Sequence, residues 1–459
     1  MNLMDSDMTG PGGLDHQGPP LVVVGTDVAA LAVIEELRLR GYGGRIQLFG
    51  DRPYGAAEQE RLAQVRRRTA LEYHEVPILA VDRRRQAVTD MAGRSHLYQT
   101  LILATGCRPR VPGIPGVGSA GVHLFYQLEQ LPGLLERLDP AQPTAVVGGG
   151  LLGMTAAAAL AEHGFASVHL LQQEARLMHN RLDDDAAAML QQQLQQQGVE
   201  VQLDAGVVAV ESDHGRVVAV RLRDGSALTV SQVILATGIR PNTQLARDAQ
   251  LRTSHGVLVD DRLRTSVAGI HALGACAEHR GVVHGLVGPG LEQAAVLAAL
   301  LMGEQAQYLG SMSVNQREIA GAAVFSHGVV SELRRSPFII TREYRDPAKQ
   351  IYRRLVLERG VLIGALAVGP LPERARLEEA INSGRRLSLW QQWQFRLSGS
   401  LWSRRQLLLH QAPPATVVCR CTGATARMLR TSEGGADRAG TVCGACRSQL
   451  PDSLPLATP

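Results

Sequence analysis

Three glycines, Gly148, Gly150 and Gly153, stand in the run Val146-Val147-Gly148-Gly149-Gly150-Leu151-Leu152-Gly153 with G-x-G-x-x-G spacing. That spacing suits a dinucleotide: the first glycine permits a tight turn, the second lets backbone approach a pyrophosphate, and the third lets a helix pack on the strand before it. The phosphates are expected on the amides that open the helix, at Leu151 and Leu152. A glycine-rich turn of an ordinary α/β domain is the plain alternative. The flanks favour the dinucleotide, with Thr144 to Val147 reading as a buried strand, Met154 to His163 as a helix ending at Gly164, and Ser167 to Leu171 as the next strand. Beyond that strand, where an acid would bind the ribose of NAD, stands Gln172; it neither repels nor binds a 2′-phosphate by charge, so NADH and NADPH both remain open. A second set of chemical residues lies far downstream. Four of the six cysteines, Cys419, Cys421, Cys443 and Cys446, form C-x-C and C-x2-C pairs. Four thiolates can hold a 2Fe-2S cluster or a zinc ion, since both want tetrahedral sulfur, and the spacing does not choose between them.

The elements that must position these residues repeat along the chain. Leu21 to Ala30 has the strand, turn and helix order of a first dinucleotide fold, followed by Leu31 to Gly41 as helix and Arg45 to Phe49 as strand. Gly25 keeps the first glycine place. Asp27 stands at the second and Ala30 at the third. Alanine is tolerated there, whereas a carboxylate beside a pyrophosphate opposes close approach by both bulk and charge. Asp51, just past the second strand, is placed to reach an adenosine ribose. Tyr98 to Thr105 reads as a strand ending in Ala104-Thr105-Gly106, and Ile234 to Gly238 repeats it as Ala236-Thr237-Gly238. Arg108-Pro109 and Arg240-Pro241 follow the two in step, which argues for two related nucleotide-binding domains, one inserted into the other.

Composition excludes some classes. The 459 residues carry Lys+Arg 47 against Asp+Glu 43, a net charge of +4 that gives no nucleic-acid footprint. No apolar run is long enough to span a bilayer without a charge, and the N-terminus lacks the order of a signal peptide, so a cytoplasmic location with no membrane partner is expected. Met1 to Pro20 reads as a disordered tail, and Trp390, Trp393 and Trp402 read as packing residues. Cys107 and Cys276 form no closely spaced redox pair. His163, His279 and His284 are unneeded for hydride transfer, which asks for placement more than proton shuttling. No catalytic side chain is assigned.

Residues 20 to about 305 resemble the FAD-dependent pyridine-nucleotide reductases, most closely the flavoprotein half of assimilatory nitrite reductases and the nitrate reductase electron-transfer subunits. The match rests on Leu101 to Gly116, Gly148 to Asp185, Gly238 to Thr243 and Leu273 to Leu300. The resemblance implies FAD held near Gly25, Ala30, Asp51, Thr105, Gly106, Gly274 and Pro289, with Gly238 a further cofactor-binding candidate, although Ala275 replaces the acid that the family has after the glycine. Val314 to about Trp402 resembles the C-terminal domain of rubredoxin-reductase-type flavoproteins, with an antiparallel hairpin expected over Gln350 to Leu357 and Val361 to Val368 and a helix over Arg374 to Ser383. From Val417 the chain resembles the 2Fe-2S domain of bacterioferritin-associated ferredoxin, with a shorter gap between the cysteine pairs.

The expected fold class is therefore α/β: two nested Rossmann-like dinucleotide-binding domains, a small α+β interface domain, and a short cysteine-rich 2Fe-2S module. The expected boundaries are a tail at 1–20, a split FAD-binding domain at 21–140 and 256–308, an NAD(P)-binding domain at 141–255, a rubredoxin-reductase-like domain at 312–408, and the cysteine module at 415–459. The implied activity is electron transfer from NAD(P)H through FAD and the cluster to a separate protein, a nitrate or nitrite reductase catalytic subunit. A reductase for a rubredoxin, ferredoxin or oxygenase, and a decayed flavoprotein with a binding or sensing role, are the alternatives.

Overall fold

The computed structural model describes residues 18–51, 56–69, 71–311, 315–319, 321–329, 338–402, 417–419 and 424–425. The chain divides into two compact units, one of residues 1–110, 126–132 and 238–311, the other of residues 111–125, 133–237 and 312–459.

The first unit is built on a parallel sheet in which Leu21–Val24 is central, flanked by Thr100–Leu103 and Ile46–Phe49, with Ile270–Ala272 and Glu72–His74 at the edges. Every residue of the three inner strands is buried, as a sheet covered on both faces requires. One face packs on the helices Val28–Leu39 and Val287–Leu301, through Leu31, Ile34, Ala294 and Leu297. The other face carries Val22, Phe49 and Leu101 against Ile78 and Val88 of a small antiparallel sheet. The strand expected over Tyr98 to Thr105 is shorter, because the Tyr98 amide turns away to the Gln86 carbonyl and joins the neighbouring antiparallel layer.

The second unit repeats that plan. Thr144–Val147 is central, between Val168–Leu171 and Gln232–Leu235, with Val199–Gln202 and Val122–Leu124 outside them, all parallel. In both units the strand that ends at Ala-Thr-Gly lies directly beside the strand that feeds the glycine turn. The internal repeat seen in the sequence is thus a repeat of topology. The two Arg-Pro segments turn out to pair with each other inside the first unit, Cys107–Pro109 antiparallel to Ile239–Pro241 with Arg108 opposite Arg240.

The second unit also holds a five-stranded antiparallel sheet containing Ala322–Gly328, Ile339–Asp346, Ile351–Glu358 and Val361–Val368, covered by the helices Arg374–Asn382 and Leu389–Ser398. The expected hairpin and helix are present. One link to the inner fold is Asp183, which caps the helix Asp184–Gln196 through the Ala186 amide and accepts hydrogen bonds from Tyr352 at 2.6 Å and Arg354 at 2.8 Å. The tryptophan expectation holds for one residue of three. Trp402 is buried beneath the Arg376 guanidinium, whereas Trp390 and Trp393 are 65% and 53% exposed. The reason is helical phase: Leu389–Ser398 turns Gln392 and Phe395 to the core, which places Trp390 and Trp393 outward.

Candidate dinucleotide sites

The inner turn is shaped by two close approaches. Gly148, at φ 115°, lies against the Ala236 carbonyl, and a Cβ on Gly153 would run into the Gly148 carbonyl. Only glycine fits at either place, which is how the helix Leu151–Glu162 reaches the strand. Gly150 precedes that helix with φ −81° and ψ −178°, gives no side-chain cap, and faces open space where a Cβ would be. The amides from Leu151 onward are therefore presented without a competing side chain, as an anion at a helix N-terminus needs. The helix opens three residues earlier than Met154, because the glycine turn itself makes the bend.

Gln172 is buried and spoken for. Its Oε1 accepts the Gly149 N–H at 2.7 Å, and its Nε2 donates to Glu174 at 2.7 Å and to the Arg176 carbonyl at 3.2 Å. It holds the turn in shape. The residue that sequence reading passed over is Glu174, half-buried beyond the strand end, with Gln172 and Gln173 each donating to one of its oxygens. Its signal was present in the sequence as the only acid in Leu171-Gln172-Gln173-Glu174.

The outer turn has the same frame. Gly25, at φ 118°, lies against the Ala104 carbonyl as Gly148 does against Ala236. Asp27, however, caps the helix Val28–Leu39: its Oδ1 accepts the Ala30 N–H at 2.9 Å. Loss of solvent raises this carboxyl from 3.8 to about 6, against the lowering effects of the Ala30 and Ala29 amides and Arg61. A Cβ on Gly274 or Gly106 would sit 3.2 Å or 3.6 Å from Asp27 Oδ2, so both backbones close on the carboxylate. The glycine frame fits a flavin dinucleotide, and the carboxylate at the place of its pyrophosphate does not.

The other sequence candidates fall around this turn. Thr105 donates through Oγ1 to the Asn242 carbonyl at 2.7 Å, and Asn242 returns a bond to the Thr105 carbonyl at 2.8 Å. The Gly106 and Gly238 carbonyls accept from the amides of Asn242 and Arg110. Asp51 is exposed at the end of Ile46–Phe49, where its carbonyl accepts from Thr26 at 2.8 Å. Pro289 is buried in the first turn of Val287–Leu301. Cys107 and Cys276 are both free, and burial pushes each thiol up to about 11, far from a reactive thiolate. His163 bonds the Ala159 carbonyl and His279 bonds Asp261 at 2.8 Å, which are structural roles.

Cys421, Cys443 and Cys446 lie outside the described residues, and of Cys419 only the backbone of the strand Val417–Cys419 is described. Among the described residues no cluster of His, Cys, Asp or Glu could hold a metal ion, and no helix is long and apolar enough to cross a membrane.

Comparison with known proteins agrees with this architecture. Residues 19–299 match the pyridine nucleotide-disulphide oxidoreductase family, and residues 314–385 match the rubredoxin NAD+ reductase C-terminal domain. A nitrite reductase (NAD(P)H) of Bacillus subtilis is 32% identical over 78% of this chain and 46% of its own length. The assimilatory nitrate reductase electron transfer subunit of the same organism is 29% identical over 95% of this chain and 60% of its own length. The chain thus spans about half the length of these relatives. In fold it is similar to a ferredoxin reductase from Rhodopseudomonas palustris, with a TM-score of 0.75, 22% identity, and 84% of this chain and 99% of the other covered. With the family model covering well over half of its residues, this chain belongs to the pyridine nucleotide-disulphide oxidoreductases.

Proposed function

We propose that the chain takes reducing equivalents from NAD(P)H at the inner turn and passes them to a separate electron-accepting protein, a nitrate or nitrite reductase catalytic component, through a terminal 2Fe-2S centre held by Cys419, Cys421, Cys443 and Cys446. The observation that carries the first part is the uncapped helix N-terminus behind Gly150. Gly148 and Gly153 shape the turn, the amides from Leu151 onward hold the pyrophosphate, and Glu174 takes the adenosine ribose. A flavin, when bound, supplies the conversion between a two-electron donor and a one-electron acceptor. The acceptor rests on the nitrate and nitrite reductase relatives.

A second acceptor class, a small ferredoxin or rubredoxin, is favoured by the match of residues 314–385. Steady-state rates with purified nitrate reductase component, ferredoxin and rubredoxin as acceptors separate the two readings.

The site itself is tested by Gly150→Asp. The position has room for a Cβ and ordinary backbone angles, so the fold stands, while the new carboxylate takes the amides that the phosphates need. NADH binding followed by fluorescence is expected to vanish in the variant with an unchanged circular dichroism spectrum. Equal affinity in both proteins would refute the site.

A further inference from the structure

The two dinucleotide turns share a backbone and differ in one side chain. Asp27 has φ −71° and ψ 173°, and Gly150 has φ −81° and ψ −178°; each immediately precedes a 12-residue helix. Where the inner helix presents free amides, the outer helix already carries an anion, with Asp27 Oδ1 on the Ala30 amide at 2.9 Å and Oδ2 beside the backbones of Gly274 and Gly106. A second anion at that N-terminus meets a partial positive charge already offset by the carboxylate and is repelled by it.

We propose that Asp27 is a resident anion of the outer turn that competes with the pyrophosphate of FAD, so that FAD enters this turn together with a proton taken up by Asp27. The inference rests on the flavoprotein reading of the first unit. The groups that face the carboxylate fit it. Arg61, from the helix Ala56–Thr69, is the cation acting on Asp27, and it is already held by Glu35 at 2.7 Å. The thiols of Cys107 and Cys276, which feel the Asp27 charge, stay neutral through the neutral pH range because burial holds both at about 11. From the helix Val287–Leu301 comes an uncharged group, Gln293, whose Oε1 accepts the Gly274 N–H at 2.7 Å. Protonation of Asp27 near pH 6 therefore changes the charge at the turn while these neighbours keep theirs.

The test is a titration of the flavin-free full chain with FAD by fluorescence quenching from pH 5.5 to 8.5, on the wild type, Asp27→Asn and Asp27→Gly. NADH binding at the inner turn is measured alongside as the control for folding. Asparagine keeps the helix cap without the charge, and glycine removes both. In the wild type the dissociation constant is expected to rise about tenfold for each pH unit above 6 and to level off below it. Both variants are expected to bind with no such slope and about a hundredfold more tightly at pH 8. A wild type without the slope, or as tight at pH 8 as Asp27→Gly, overturns the proposal and leaves the flavoprotein reading standing. Failure of all three proteins to bind FAD at any pH, with NADH binding retained, overturns both.

Discussion

Asp27 and His271 titrate in opposite senses within the first unit, and their pH signatures can be separated. Burial lowers His271 from 6.5 to about 4, so the folded state resists its charge; its contribution to stability is complete above pH 6.5 and is lost as pH falls through 4. Asp27, raised from 3.8 to about 6, contributes most below pH 3.8 and loses that contribution as pH rises through 6. Each amounts to about 3 kcal/mol, so in the wild type the two largely offset one another between pH 6.5 and 4. Asp27→Asn removes one of them. Urea denaturation of this variant at several pH values is expected to show greater stability than the wild type at pH 7, by up to about 3 kcal/mol, and a steeper loss on acidification. Parallel curves for the two proteins would show that Asp27 titrates normally. At the inner turn, Glu174 is expected to favour NADH, because a carboxylate bonds ribose hydroxyls and repels a 2′-phosphate. Glu174→Gln should weaken NADH by roughly tenfold or more and narrow the gap to NADPH, as read from binding titrations of the two nucleotides.

At the scale of the element, the helix Leu389–Ser398 and the helix Asp184–Gln196 make distinct predictions. Truncating buried Trp402 to alanine is expected to cost about 3–5 kcal/mol in denaturant unfolding, while Trp390→Ala changes stability by roughly 0.5 kcal/mol or less. Acrylamide should accordingly quench the fluorescence of Trp390 and Trp393 and spare Trp402, and equal quenching of all three would contradict the helical phase. Asp183 does three things at once: it caps its helix, accepts from Tyr352, and pairs with Arg354, whose side chain is only 11% exposed. The Asp183 carboxylate also holds the Tyr352 hydroxyl in place, and burial together with that carboxylate keeps the phenol neutral well above its usual range. Asp183→Ala leaves Arg354 without this partner and should destabilise by about 3–5 kcal/mol, measured by chemical unfolding. A loss near 1 kcal/mol would mean that only the cap matters.

For the whole molecule, the terminal cysteines decide whether the chain carries its own one-electron centre. Anaerobically purified protein is expected to show visible absorption, stoichiometric iron and a rhombic signal on reduction, all lost in Cys443→Ser or Cys446→Ser. Stoichiometric zinc with no iron in fresh wild-type protein would end that expectation. If the cluster is present, NADH should reduce it in the wild type and fail to do so in Gly150→Asp, which joins the nucleotide turn and the cysteine module in one measurement.

By itself the sequence determined the repeat and both dinucleotide turns, because these rest on short-range features. Four-residue apolar strands, glycines at fixed spacing and paired Ala-Thr-Gly ends are all local. The hairpin Ile351–Glu358 with Val361–Val368 was legible for the same reason, since alternation along a strand is a local pattern. Tertiary structure decided what side chains at those positions do. The sequence marks Asp27 as an intruder in a glycine motif, and only the fold shows it seated on the Ala30 amide with Gly274 and Gly106 closed around it. Gln172 stands where a ribose ligand would stand, yet it turns inward to Gly149 and donates to Glu174. Trp390, Trp393 and Trp402 are alike in composition, and helical phase and distant neighbours separate them. Gly106 and Gly274 beside Asp27, Gly149 beside Gln172 and Arg376 over Trp402 are brought in by the fold from outside the local motif, so a local pattern could not name them.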